Sequence, residues 1–361
     1  MSEQLIYILE QLNNIGYDNL LLLFAPLVYC YFSTKVNAAY TLHKDFKPKN
    51  IKRVEIPPEL KQKYSSVEIE QITSKKIKEA TSEFIDVMVE NFPPETLINF
   101  YNNINEVKIK KTLLPLLINA FGTYNPILNE IMLVTTRSIY HELFHMASTI
   151  NKGKLPAFSS ELYIGGFHQS NPNFYFYESI GNGLNEGYTE LLTQRYFGEK
   201  YKIHSPYKAV VKIVGNLEEI VGKDKMETLY LTADLAGLIN ELKKYSTEEE
   251  ITKFITGTDL ICNHYNDMFL FKNKKIQISF DNVYEFLYKT YLVKLKQQLE
   301  KKEISVDDFV RKYTKYINSL GTSAKVDGYK YKFLSADKIL QIMENLESEK
   351  EMQDEDSGFK M

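Results

Sequence analysis

Apolar positions fall into three textures along the chain. Residues 20–33 form a nearly continuous apolar run. Residues 51–200 mix short alternating stretches with helical stripes. Beyond residue 204, apolar side chains recur at three- and four-residue spacing in long segments. These textures predict an N-terminal apolar helix over 1–45, a lobe of mixed strands and helices over 46–200, a helical lobe over 201–348 and an acidic, frayed tail over 349–361. The fold class expected is α+β, with a small mixed sheet in the first lobe.

Within the mixed lobe, RVEIPPEL and SVEIEQI between residues 51 and 70 suggest short strands around a Pro-Pro break. Thr73 or Ser74 then caps a helix striped by Ile77, Ala80, Phe84, Ile85 and Met88, which Pro93 and Pro94 stop. A second helix, PETLINFYNNIN, starts at Pro94. The stretch TYNPILNEIMLV, residues 123–134, alternates and is expected to be one strand, held to a sheet edge by Pro126. In the helical lobe the periodicity predicts helices over 205–221, 225–244, 247–265, 282–302, 305–319 and 335–348, with Glu249 in a capping box behind Ser246.

Composition narrows the function classes. With 361 residues, 44% of them hydrophobic, the chain can bury a substantial core. A net charge of -3 offers no basic field for a nucleic-acid backbone, so nucleic acid is not an expected partner. The two cysteines, Cys30 and Cys262, make neither a disulfide framework nor a CxxC site, which fits a reducing compartment. The run over 20–33 is shorter than the roughly 20 residues of a spanning helix, and no Lys or Arg precedes it as in a secretory signal. It reads either as a buried or partner-facing helix or as a short membrane anchor. If it spans, Lys35, Lys44, Lys47, Lys49, Lys52 and Arg53 hold the remainder on the cytoplasmic side. The expected location is therefore cytoplasmic, or membrane-anchored with the catalytic part in the cytoplasm.

The candidate chemistry lies in RSIYHELFHMAST, residues 137–149. On a helix, His141 and His145 stand one turn apart on the same face and can aim two imidazoles at one ion. Glu142 is rotated by about 100° from His141 and reaches a water on that ion rather than the ion itself. Thr135, Thr136 or Ser138 can cap this helix, Ile139, Leu143, Met146 and Ile150 give it an apolar stripe, and Asn151-Lys152-Gly153 ahead of Pro156 can stop it. An HExxH string also arises by chance, so a third ligand has to be found. A catalytic zinc takes three protein ligands and keeps one position for water.

GLNEGYTELLTQRYFG, residues 183–198, supplies a carboxylate pair, Glu186 and Glu190, one turn apart on a helical run. HELFH followed by NEGYTE resembles the gluzincin, or thermolysin-like, zinc metallopeptidases over about residues 120–198. The resemblance implies a zincin-like fold, one Zn2+ per chain held by His141, His145 and Glu186, and Glu142 as the general base. It further implies that Glu190 accepts the other ring N–H of a ligand histidine, His141 by preference, with Asn185 as a structural partner. The substrate would be a peptide or protein, and the resemblance extends to a substrate-binding edge strand just before the HExxH helix. The aminopeptidase motif GxMEN is missing, which favours an endopeptidase. A catalytically silent scaffold or membrane-tethered binding protein that keeps the metal shell is the alternative.

The chain departs from the family in one respect. Glu186 follows His145 by 41 residues, about twice the usual interval. The intervening segment, 154–183, is rich in Gly, Asn and aromatics and is expected to form a hairpin or flap near the cleft. Rival ligands in reach are His168, Glu161, Glu178 and Glu190 itself, with His168 expected to be a surface loop residue. Oxyanion donors are not singled out by spacing: His204, His264, Tyr188 and other tyrosines all qualify.

Overall fold

The structure is a computed structural model that describes residues 74–113, 115, 120–126, 128–150, 163–172, 177–198, 207–266, 274–326, 338–339 and 341. The apolar run over 20–33, the strands expected within 51–70, the acidic tail and most of the helix expected over 335–348 lie outside the described residues. Helices dominate the described residues, beside two small sheets, so the class is mixed α+β. Among the described residues, no helix is long and apolar enough to cross a membrane.

The first helix, α1 (Lys75–Asn91), buries Ile77, Thr81, Phe84 and Met88 at helical spacing. Pro93 and Pro94 end it as expected, but the next element opens as a 3-10 turn, Pro94–Thr96, before α2 (Ile98–Ile104). Three strands follow: β1 (Lys108–Lys111), β2 (Gly122–Asn125) and β3 (Glu130–Leu133). Their order is β1-β3-β2, with β1 parallel and β2 antiparallel to the central β3.

The single strand expected over 123–134 is thus a hairpin. Leu128 N–H donates to the Asn125 side chain, and Asn129 adopts a φ of 46°, a left-handed conformation that Asn tolerates. Asn129 is fixed from both sides, donating to Asn103 O and accepting from the Tyr124 hydroxyl. Pro126 falls in the turn, where its missing N–H costs nothing.

After the hairpin, a 3-10 turn, Thr136–Ser138, leads into α3 (Ile139–Ala147), all nine of whose residues are buried. An antiparallel sheet follows, β4 (Tyr163–Gly165), β5 (His168–Pro172) and β6 (Tyr177–Ile180), in the order β4-β5-β6. Then comes α4 (Asn182–Phe197), and α1, α3 and α4 share an aromatic core. Phe84 meets Phe144 edge-on at 4.9 Å, and Tyr140 stacks on Phe197 at 4.1 Å.

The C-terminal part is α5 (Lys208–Val221), α6 (Lys223–Leu231), α7 (Leu235–Leu242), α8 (Glu248–Asn266), α9 (Lys274–Glu300) and α10 (Val306–Val326). The helix expected over 225–244 divides at Ala233, whose φ is 54°, and Asp234 caps the second piece by accepting from Gly237 N–H at 2.7 Å. The capping box at α8 is formed one residue later than expected. Thr247 Oγ1 accepts from Glu250 N–H, and Glu250 accepts from Thr247 N–H.

Candidate metal centre

Helix α3 is tied at both ends by hydrogen bonds. Thr135 Oγ1 accepts from Arg137 N–H, Ser138 Oγ donates to Phe121 O, and Asn103 Nδ2 donates to both Met146 O and Thr149 O at 2.7 Å. Its regular part stops at Ala147, short of Ile150, where Ser148 and Thr149 hydroxyls turn back to His145 O. The buried face holds Leu143, Phe144 and Met146 in the core and leaves His141, Glu142 and His145 facing α4 and β2.

Helix α4 brings the carboxylates. Glu186 Oε2 stands 3.3 Å from His141 Nε2 and 3.4 Å from His145 Nε2, and the two Nε2 atoms are 3.1 Å apart. Glu190, fully buried one turn on, places Oε2 at 3.1 Å from His141 Nδ1, while its Oε1 accepts from Gln194 Nε2. The carboxylate of Glu190 accepts from His141 Nδ1, so Nδ1 keeps its hydrogen and Nε2 is the nitrogen left to a metal ion once its own proton is displaced. On the other histidine, the Asn185 amide and Thr189 Oγ1 lie 3.3 and 3.5 Å from His145 Nδ1.

The three inward atoms fit a small tetrahedral cation. Ligands about 2.0–2.1 Å from a zinc ion at tetrahedral angles lie about 3.3–3.4 Å from one another. The observed triangle has edges of 3.1, 3.3 and 3.4 Å. The donor set, two imidazoles and one carboxylate, is also one that zinc accepts while retaining a position for water. His141, His145 and Glu186 thus form a possible metal-binding triad.

Electrostatics favour positive charge at this point. Burial pulls the His141 imidazolium down, but hydrogen bonds to Glu186 and Glu190 and the charge of Glu142 outweigh it, and its pKa is pushed up to about 10. Burial acts against the Glu186 carboxylate as well, yet the charge of His145 and hydrogen bonds to both histidines hold it well below the usual range. A divalent cation would supply the same positive charge and take the place of the proton.

Glu142 stands outside the triad, with its carboxylate against β2 and within electrostatic reach of both histidines. Burial raises its pKa, opposed by the charges of His141 and His145, and Tyr124 N–H donates to its carboxylate. The approach is close: a Cβ on Gly122 would lie 2.6 Å from Ser138 Oγ and 2.8 Å from Glu142 Oε1, so a larger residue there would displace these side chains. The strand at the sheet edge beside this carboxylate is β2 alone, residues 122–125, not the whole stretch to residue 134.

Among the rivals, His168 is corrected from a surface loop to a buried position at the start of β5. Burial lowers its pKa to about 4, and the charges of Glu186 and His145 reach it, but it stands outside the triad. The Tyr188 hydroxyl is committed to Glu218 at 2.7 Å, a cluster that also holds Arg195. Glu161, His204 and the side chains of Glu178 and His264 lie outside the described residues. In the described part of segment 154–183, the flap is the β4–β6 sheet. Its β4–β5 turn is tied to α4 by Phe167 N–H donating to Asn185 Oδ1, and its Gly165 bridges to Thr149 just past α3.

Sequence reasoning missed Tyr207. At the start of α5 it stacks on the His141 ring at 5.6 Å and 8°, and its hydroxyl bonds to Glu186. Burial, with the charge of Glu186 next, raises its pKa well above the ordinary value. As one of 26 tyrosines with no motif around it, Tyr207 gave no signal before α5 was placed against α4. Comparison of the chain with protein-family models, curated proteins and solved structures gave no match.

Proposed function

We propose that the protein is a zinc-dependent metallopeptidase of the gluzincin type, an endopeptidase acting on peptides or proteins, with His141, His145 and Glu186 as metal ligands. The observation that carries this reading is the triangle of ligand atoms with Glu190 behind His141. A bound zinc ion would polarise the scissile carbonyl and lower the pKa of a water.

The chain's own residues divide the remaining work. Glu142, raised in pKa by burial, takes a proton from the attacking water and returns it to the leaving amine. Tyr124 N–H holds that carboxylate in place. Edge strand β2 offers backbone groups to which an extended peptide can add as a further strand. Among the described tyrosines, Tyr207 has its hydroxyl beside Glu186 and, on exchanging that bond, would donate to a developing oxyanion. The reading places the catalytic part in the cytoplasm, with residues 20–33 as its link to a membrane or partner.

The test combines metal analysis with a peptide library. The parent should carry one zinc per chain, which His141→Ala and Glu186→Ala lose. Glu142→Gln should retain zinc and lower peptide cleavage by about 10²- to 10⁴-fold. Cleavage by Glu142→Gln at the parental rate overturns the assignment of the base. Zinc binding without cleavage of any library member transfers support to the silent scaffold.

A further inference from the structure

Helix α4 carries Glu186 and Glu190 but has no cap of its own. Its N-cap is Gly181, with a φ of 83° and no side chain to accept a hydrogen bond, and its first turn contains no acidic residue. The missing acceptor comes from α8. Asp259 Oδ2 accepts from Gly181 N–H at 2.9 Å and Oδ1 accepts from Gly183 N–H at 2.6 Å. A carboxylate at this end also meets the positive end of the helix dipole.

The two helices touch backbone to backbone at the same place. A Cβ on Gly183 would fall 2.5 Å from Thr258 O and 2.9 Å from Asp259 N, and one on Gly187 would fall 2.8 Å from Val210 O of α5. Asp259 therefore bonds a helix end that is already seated against its own backbone, which fixes both the axial position and the rotation of α4. Glu186 follows Gly183 by three residues, within one turn, so an error in either coordinate moves its carboxylate directly.

We propose that Asp259 is a positioning residue for the metal centre, a cap supplied from the C-terminal helices that sets Glu186 and Glu190 against the two histidines, and that its ionised form does so better than its neutral form. The proposal rests on the metal-site reading above. A neutral carboxyl keeps one good acceptor for two N–H groups, whereas the carboxylate offers two. Burial, opposed only by the Gly183 and Gly181 N–H groups, raises the Asp259 pKa to about 7, and no charged side chain contributes to that shift. The change of form thus falls in an accessible pH range.

Asn is isosteric with the neutral acid, which makes the test a difference measurement on the full-length chain. Zinc affinity is measured by chelator competition for the parent, Asp259→Asn and Asp259→Ala at pH 8.5 and pH 6. Hydrogen exchange of segment 181–190 is followed in the chelator-treated proteins. At pH 8.5 Asp259→Asn should bind zinc about tenfold more weakly than the parent and Asp259→Ala more weakly still, in the range found for residues that orient ligands. At pH 6 the ratio of Asp259→Asn to parent should fall towards one. Titration of the histidines is common to both proteins and cancels in the ratio.

Equal affinities at pH 8.5, or a ratio that does not change with pH, overturn the proposal. A parent that binds no zinc overturns the metal reading instead, and hydrogen exchange then decides the positioning role. Faster exchange over 181–190 in Asp259→Asn at pH 8.5 supports it, and unchanged exchange refutes it.

Discussion

Helices α3 and α4 meet at the candidate metal centre from opposite circumstances. The histidine arm, α3, is held by neighbours. Thr135 caps the 3-10 turn that leads into it, Ser138 ties its start to Phe121 O, Asn103 satisfies the Met146 carbonyl, and its apolar residues enter the core shared with α1. The glutamate arm, α4, is held from far along the chain, by Asp259 at its N-terminus and by backbone contacts of Gly183 with α8 and Gly187 with α5. The bonds at the ends of the first arm span at most 46 positions. The other is aimed by residues some 76 to 78 positions away.

Changes on the glutamate arm should therefore reach the metal, and changes on the histidine arm's caps should not. The largest effect is expected from Glu190→Ala, which removes the acceptor that sets the His141 tautomer and leaves the Gln194 amide without its Oε1 partner. Zinc affinity should fall by about 10- to 100-fold, measured by chelator competition, while the zinc stoichiometry at saturation stays at one. Retention of parental affinity would mean that His141 is oriented by something other than Glu190.

Gly183→Ala tests the seat of α4. The added methyl meets the Thr258 carbonyl at a separation that real side chains do not adopt, and both sides of the contact are backbone. Such overpacking costs about 1–3 kcal/mol, readable as a lowered midpoint in denaturant. Zinc affinity should fall with it, because α4 can relieve the clash only by moving away from α8. The expected drop in stability with undiminished affinity would separate the seat from the site.

What could be read from residues alone follows the same division. The pair His141 and His145, with Glu142 beside them, is legible because helical geometry puts i and i+4 on one face. Glu186 and Glu190 were legible by that rule too, but only as a pair. It was the family resemblance that pointed Glu190 at His141, and the packing of α3 on α4 brings its Oε2 to 3.1 Å from His141 Nδ1. The strand over 123–134 was misjudged because alternation continues through a tight turn when Pro126 and Asn129 occupy it. The break at Ala233 was missed because nothing in a helical stripe forbids an Asp cap in its middle. Tyr207 and Asp259 carry no local signature, since each acts across helices whose contact is set by the whole core.

The smallest effect belongs to Thr135→Ala, on the histidine arm. Thr135 Oγ1 accepts from Arg137 N–H at 3.3 Å in an exposed turn, so its loss leaves that N–H to water and should cost about 1 kcal/mol or less. The helix that follows does not depend on this bond for its place. Ser138 ties its start to Phe121 O, Asn103 holds its last carbonyls, and Leu143, Phe144 and Met146 are fully buried. His141 and His145 should stay where they are, and zinc affinity in Thr135→Ala should match the parent within about twofold even as thermal stability drops slightly. A loss of affinity as large as that of Gly183→Ala would show that the histidine arm is as dependent on its termini as the glutamate arm, and the distinction between the two helices would not stand.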